Sequence, residues 1–149
     1  MTQFVFRLER LLDLRHAMEQ ERAADLQTAR RREDEERESL ETLRLRYEEL
    51  QRETSRLTGT QTVAGMIRNY GLVLEAALQS AEAQQEQVIE AERHRLEKQV
   101  SFDAARVDRR SLERLRETAR EVWSREDRRL EQRTLDDTAM HRPTGANHP

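Results

Sequence analysis

Leu40-Glu41-Thr42-Leu43-Arg44-Leu45-Arg46-Tyr47-Glu48-Glu49-Leu50-Gln51-Arg52-Glu53-Thr54-Ser55-Arg56-Leu57-Thr58-Gly59-Thr60-Gln61-Thr62 is a helical seam that runs into a stop. Leu40, Leu43, Tyr47, Leu50, Thr54 and Leu57 recur at spacings of three and four, the period of one face of a helix. Around Thr58–Thr62 the pattern ends. Gly59 suits a helix C-terminus, where a left-handed residue without a Cβ closes the last turn, and Thr60 or Thr62 suits the next N-cap. A break this short makes the two flanking helices antiparallel neighbours.

Upstream, Phe4, Leu8, Leu11, Arg15 and Met18 form an earlier apolar series, followed by Leu26 and Ala29. The two series do not share one heptad frame, so a stutter that locally unwinds a supercoil is expected between Arg15 and Leu26. Arg30 to Ser39 contains no apolar residue. It can stay helical through charge pairs four apart, over a weak stretch of seam. Downstream, Val63, Ile67, Tyr70, Leu74, Leu78, Ala81, Val88, Leu96, Phe102, Ala105, Leu112, Leu115, Ala119, Val122, Trp123 and Leu130 give the second stripe. The fold expected is all-α: two long helices in an antiparallel coiled-coil hairpin, with the C-terminal helix the longer. The helices run over about 4–57 and 63–140, the turn over about 58–62, and 141–149 is a disordered tail.

Composition agrees. Charged residues make up 38% of the 149 and hydrophobic ones 35%, and both prolines lie in the last seven positions. So few apolar side chains cannot fill a thick core, but they can line a narrow seam between helices. No apolar run is long enough to span a bilayer, and Arg7, Glu9 and Arg10 interrupt Phe4-Val5-Phe6 before a signal-peptide core can form. A cytoplasmic protein is expected. Cysteine is absent, which removes disulfides and thiolate metal sites.

A hairpin folded near residue 60 brings together residues whose numbers add to about 120. Leu50 then faces Tyr70, Leu43 faces Leu78, Met18 faces Phe102, Leu8 faces Leu112, and Phe4 lies near Leu115 or Arg116. The last ~20 residues of the second helix, roughly 30 Å, would have no partner within the chain. They still carry Ala119, Val122, Trp123 and Leu130, so a docking surface for another protein is expected there.

Catalytic chemistry has no carrier in this pattern. Phosphate-loop and His-Glu-x-x-His motifs are absent. Glu90 and His94, four apart, read as a solvated pair rather than a metal site. Carboxylate neighbours such as Glu35 with Glu36 lie on solvated helix surface, whereas acid–base catalysis needs a desolvated cleft. The net charge of −3 and the interleaved acids among the arginines of 106–133 argue against a nucleic-acid partner. No enzyme, cofactor, metal or small-molecule substrate is expected. Residues 71–92 carry five Glu and no basic residue, an acidic face suited to a basic partner surface.

The opening Phe4-Val5-Phe6-Arg7-Leu8-Glu9-Arg10-Leu11-Leu12-Asp13-Leu14-Arg15 resembles the start of the flagellar FliJ family. So do Leu112-Glu113-Arg114-Leu115-Arg116-Glu117 and the later Glu131-Gln132 with Leu135-Asp136-Asp137-Thr138-Ala139, although Arg133 and Asp137 stand where Lys and Glu are usual. The resemblance implies a coiled-coil component of the flagellar type III export apparatus, similar to the stalk of rotary ATPases. It implies three partners: the hexameric export ATPase, the membrane protein of the export gate, and export chaperones. It also implies peripheral association with the cytoplasmic face of the membrane at the flagellar base. On this resemblance Phe4, Leu8, Leu11, Arg15, Trp123 and Arg125 are the candidates for ATPase contact. Leu43, Tyr47, Tyr70, Val73 and Ala77 are those for the gate, with Val73 where an aromatic is common. Alternative readings are an equivalent stalk of a virulence type III system and a purely structural, self-associating coiled coil.

Overall fold

The structure is a computed structural model that describes residues 3–58 and 64–140. Two helices form it, α1 (Glu9–Thr58) and α2 (Ala64–Met140), with no strand among the described residues. They pair as an antiparallel hairpin, and α2 is the longer. The turn expected at 58–62 lies, apart from helical Thr58, outside the described residues, as does the tail at 141–149. The chain divides into two compact units. One joins Met1–Glu19 to Ala105–Pro149, and the other is Gln20–Ala104.

Along α1 the covered positions follow one unbroken heptad. Leu12, Glu19, Leu26, Glu33, Leu40, Tyr47 and Thr54 form one register, and Arg15, Arg22, Ala29, Glu36, Leu43, Leu50 and Leu57 the other. All of them are buried or half-buried. The expected stutter is therefore absent. Leu8 and Leu11 belong to a second, flanking stripe. Those two are 40% and 38% exposed, whereas Leu12 is 2% exposed. The true frame is masked because Arg15, Glu19, Arg22, Glu33 and Glu36 occupy seam positions, where long side chains bury their stems and, except at Glu33, keep their charges nearer the rim.

On α2 the matching registers are Tyr70, Ala77, Gln84, Ala91, Lys98, Ala105, Leu112 and Ala119, and Leu74, Ala81, Val88, Arg95, Phe102 and Arg109. Leu78, Leu96, Leu115 and Val122, expected in the seam, are 41–54% exposed. Small alanines take seam places instead, letting the helices approach large neighbours. Tyr47 and Ala81 line one groove with Arg44 and Gln85.

The residues without apolar character, 30–39, hold the most buried charge among the described residues. Glu33 is 5% exposed. One carboxylate oxygen accepts from Arg95 across the seam at 2.8 Å, and the other from Arg37, one turn on, at 2.6 Å. Gln84 donates to both the Glu36 carboxylate, at 2.6 Å, and the Glu36 backbone carbonyl, at 3.1 Å. The expected weak seam is thus a satisfied polar one. A buried carboxylate is tolerable when all its oxygens are paired and costly when a partner is removed.

Numbers of cross-seam partners add to 120 for Glu36–Gln84, 123 for Asp25–Lys98, 128 for Glu33–Arg95 and 129 for Arg44–Gln85. Helical side chains lean toward their own N-terminus, so in an antiparallel pair two long side chains meet at a sum above that of their backbones.

Two outcomes are expected in thermal or urea melts. Leu12→Ala lowers stability by about 2–4 kcal/mol, and Leu11→Ala by less than about 0.5 kcal/mol. The reverse order would restore the flanking stripe as the seam. Glu33→Ala strands Arg95 and lowers stability by about 3 kcal/mol, while replacing the pair together, Glu33→Leu with Arg95→Leu, recovers much of that loss.

Candidate protein-docking site

The unit made of Met1–Glu19 and Ala105–Pro149 contains the residues expected to meet the ATPase. Its helical part is pinned by Leu12 and by a chain of charges. Arg109 donates to Glu19 across the seam and to Glu113 one turn on, the latter at 2.5 Å. Those bonds, Glu19 first and Glu113 second, hold the guanidinium pKa above its ordinary value. His16 Nε2 lies 3.4 Å from the same Glu113. Arg15 bridges to Asp108 at 3.0 Å, and Arg116 to Glu9 at 3.2 Å.

Before Glu9 the chain is not helical. The helix expected from Phe4 starts five residues later, with Glu9, an acid that favours a helix N-terminus, in its first turn. Glu9 N–H donates to the Phe6 carbonyl at 3.2 Å, and Leu12 N–H to the Leu8 carbonyl at 2.9 Å. Residues 3–6 have no helical assignment, and a segment outside a helix covers up to about 3.3 Å per residue against 1.5 Å within one. Phe4 reaches Trp123, not Leu115 or Arg116, and its sum of 127 lies within the range of the cross-seam pairs in the helices. The ring centroids are 5.9 Å apart with planes tilted by 54°. This lies within the favourable range for aromatic pairs, which contribute about 0.5–1.5 kcal/mol beyond area burial.

Trp123 is thus half-buried and clasped, which corrects the expectation that it stands on bare helix. Phe4, Phe6, Leu8, Ala119, Val122 and Trp123 line one open apolar groove. Leu8 and Val122 at its sides remain 40% and 46% exposed. Leu11, three residues after Leu8, extends the stripe along α1, and Leu115, four before Ala119, extends it along α2. The bare part of α2 is shorter than expected: every residue from Arg128 to Met140 is exposed, about 20 Å of helix. Leu130, Leu135 and Met140 on it are 57%, 63% and 83% exposed.

Of the six residues expected at the ATPase, the groove gathers Phe4, Leu8 and Trp123, and Leu11 adjoins it. Arg15 is half-buried at the seam. Arg125 lies about 200° round the helix from Trp123, on a charged stripe where it pairs with Glu121 at 3.3 Å. Of the five gate candidates, Leu43, Tyr47, Tyr70 and Ala77 are half-buried seam residues, and only Val73 is exposed. Met66, on the same helix face, and Ile67 and Leu72, to either side, are 49%, 41% and 62% exposed. Met66 and Leu72 were missed in the sequence because they fall outside the stripe. The available signal was composition, since 63–74 contains only Arg68 and Asn69 as large polar residues.

Among the described residues no cluster of three metal-ligating side chains occurs. Glu90 accepts a hydrogen bond from Arg93, which holds its carboxyl below the usual range. No described helix is long and apolar enough to cross a membrane.

The family model for the flagellar FliJ protein matches residues 4–147. The chain belongs to this family. FliJ membership makes it a component of the flagellar type III export apparatus, a coiled-coil protein of a family not known for enzymes. The match spans both compact units, including the apolar groove and the bare end of α2. No curated protein and no solved structure matches the chain.

An uncovered single helix is marginal in water. Amide exchange in the isolated protein is therefore expected to be complete for Arg128–Met140 while Leu112–Trp123 is still protected. Equal protection of both segments would mean that something covers the end of α2.

Proposed function

We propose that this FliJ-family chain acts as a stalk in flagellar protein export. Its terminal unit meets the hexameric export ATPase, and the apolar start of α2 meets the membrane protein of the export gate. The observation that carries this reading is the second apolar stripe, Leu8 and Leu11 beside Val122, left exposed next to a bare helix end. Contiguous apolar surface rimmed by charge is the mark of a protein-docking face. A helix end about 20 Å long and exposed all round suits insertion between or within subunits.

In this reading Leu8, Leu11 and Trp123 supply apolar contact, and Arg125 on its charged stripe supplies a rim charge. Arg15 holds the seam beneath them. At the gate, Val73 with Met66, Ile67 and Leu72 forms the contact, while Leu43, Tyr47, Tyr70 and Ala77 support it from the seam. The acidic run of 71–92 fits a basic surface, including those of export chaperones. The protein would work at the cytoplasmic face of the membrane at the flagellar base. It supplies no chemistry of its own. It biases the ring by binding one of its states better than another, which is the only way a ligand shifts such an equilibrium.

A second reading has support in the same exposed stripe, which two copies could bury against each other. The test separates them. The export ATPase of the same organism is assayed for ATP hydrolysis and particle size with the full chain and with Leu11→Glu. Faster turnover and ring assembly are expected with the natural chain. Leu11→Glu should bind at least about tenfold more weakly, a loss of about 1.4 kcal/mol, with an unchanged melting curve. Concentration-dependent dimerisation lost in Leu11→Glu, with no effect on the ATPase, would favour self-association instead.

A further inference from the structure

The apolar face of α2 formed by Ala119, Val122 and Trp123 is already occupied. Phe4 packs its ring on Trp123, and Phe6 joins it in lining the groove. Exposure alternates along the segment: Gln3, Val5 and Arg7 are exposed and Phe4 and Phe6 half-buried, with Val5, 78% exposed, at the groove's edge. This is the side-chain alternation of an extended segment laid along a surface. The segment is loosely held. Among the described residues its one backbone hydrogen bond to the rest of the chain is the Phe6 carbonyl accepting from Glu9 N–H. Beside that bond, two aromatic side chains in an open groove hold it.

We propose that Gln3–Phe6 is a displaceable strap: in the free protein it covers the α2 face on which a partner seats, and it must leave before docking is complete. The idea rests on the reading of the terminal unit as the ATPase-docking end. Three features of the site fit it. The strap precedes the first helical turn, so it can swing away about residues 7 and 8 while α1 remains folded. The helix beneath it does not depend on it, because Leu12 and the Glu9–Arg116, Arg15–Asp108 and Glu19–Arg109 pairs hold α1 to α2 without it. The groove also runs directly into the stripe formed by Leu8 and Leu11, so one partner surface can take both once the strap has moved. In the closed state the exposed apolar area of the free protein is reduced, which limits association with the wrong surface.

Trp123 is the sole tryptophan, so its emission reports on this face and nothing else. The full chain and Phe4→Ala are compared for emission maximum, for quenching by acrylamide, and for affinity toward the export ATPase, with helicity as a check on folding. The strap predicts that Phe4→Ala shifts Trp123 emission to the red, raises its quenching at least twofold, leaves helicity unchanged and tightens ATPase binding about tenfold. Unchanged emission and quenching would mean that Phe4 does not cover Trp123 and would overturn the strap. A red shift with weaker binding would also overturn it, making Phe4 a contact of the partner while the docking reading stands. Absence of ATPase binding by both proteins would remove the docking reading and the strap together, and only that result removes both.

Discussion

Two helices can hide one stripe each, and this limit governs the rest of the structure. A helix packed against a single neighbour covers a face barely wider than its a and d positions. Any further apolar side chain stays in water until another surface covers it. In this protein the hidden stripe is filled from Leu12 to Leu57 on α1 and from Tyr70 to Leu112 on α2, partly by charge. The surplus apolar residues, Leu8 and Leu11 beside Val122, and Met66, Ile67, Leu72 and Val73 at the start of α2, are what the seam could not absorb. In a family whose members serve an export apparatus, such surplus is the natural place to look for partners.

The seam's polar content follows from the same limit. Glu33 sits where a leucine would be easier to bury, yet its two oxygens are both engaged, by Arg95 and Arg37. Such a pair contributes little net stability compared with an apolar layer, but it penalises every register in which Glu33 meets no arginine. A sliding error of one heptad in a coiled coil otherwise keeps the apolar positions in phase. Arg109, shared between Glu19 and Glu113, does the equivalent work in the terminal unit. Charge thus fixes alignment, while Leu12, Leu26, Leu40, Leu50 and Val88 supply burial.

Hydropathy periodicity was enough for the all-α hairpin, because the stripe of Leu40–Leu57 and the one resuming at Tyr70 admit one reading. It was not enough for the phase of the first turns. There, two stripes of similar apolar strength run side by side, Leu8–Leu11 and Leu12, and the seam one continues through Arg15 and Glu19. Only the opposing charges, Asp108 and Arg109, reveal which is covered. The place of Trp123 failed for a different reason. A sum of 120 leaves out the lean of side chains toward their own N-terminus, and Phe4–Trp123, at 127, falls within the 120–129 of the other cross-seam pairs.

The opposite ends of α2 differ in how they meet the limit. At its start, Ala64–Asn69 are all exposed, and Gly65 and Gly71 have open space about them and no backbone angle that demands glycine. Each weakens the helix by about 1 kcal/mol relative to alanine, so this stretch gives up intrinsic stability without a packing reason. At the other end, Arg128–Met140 lacks glycine and is helical although every residue in it is exposed. It depends on its own local bonds, such as Gln132 to Asp136 at 3.0 Å and the Thr134 hydroxyl to the Leu130 carbonyl at 2.9 Å. A soft helix start can adapt to the surface it meets, whereas a preformed helix loses less entropy on entering a shaped hole. The two ends of α2 are therefore suited to different kinds of contact.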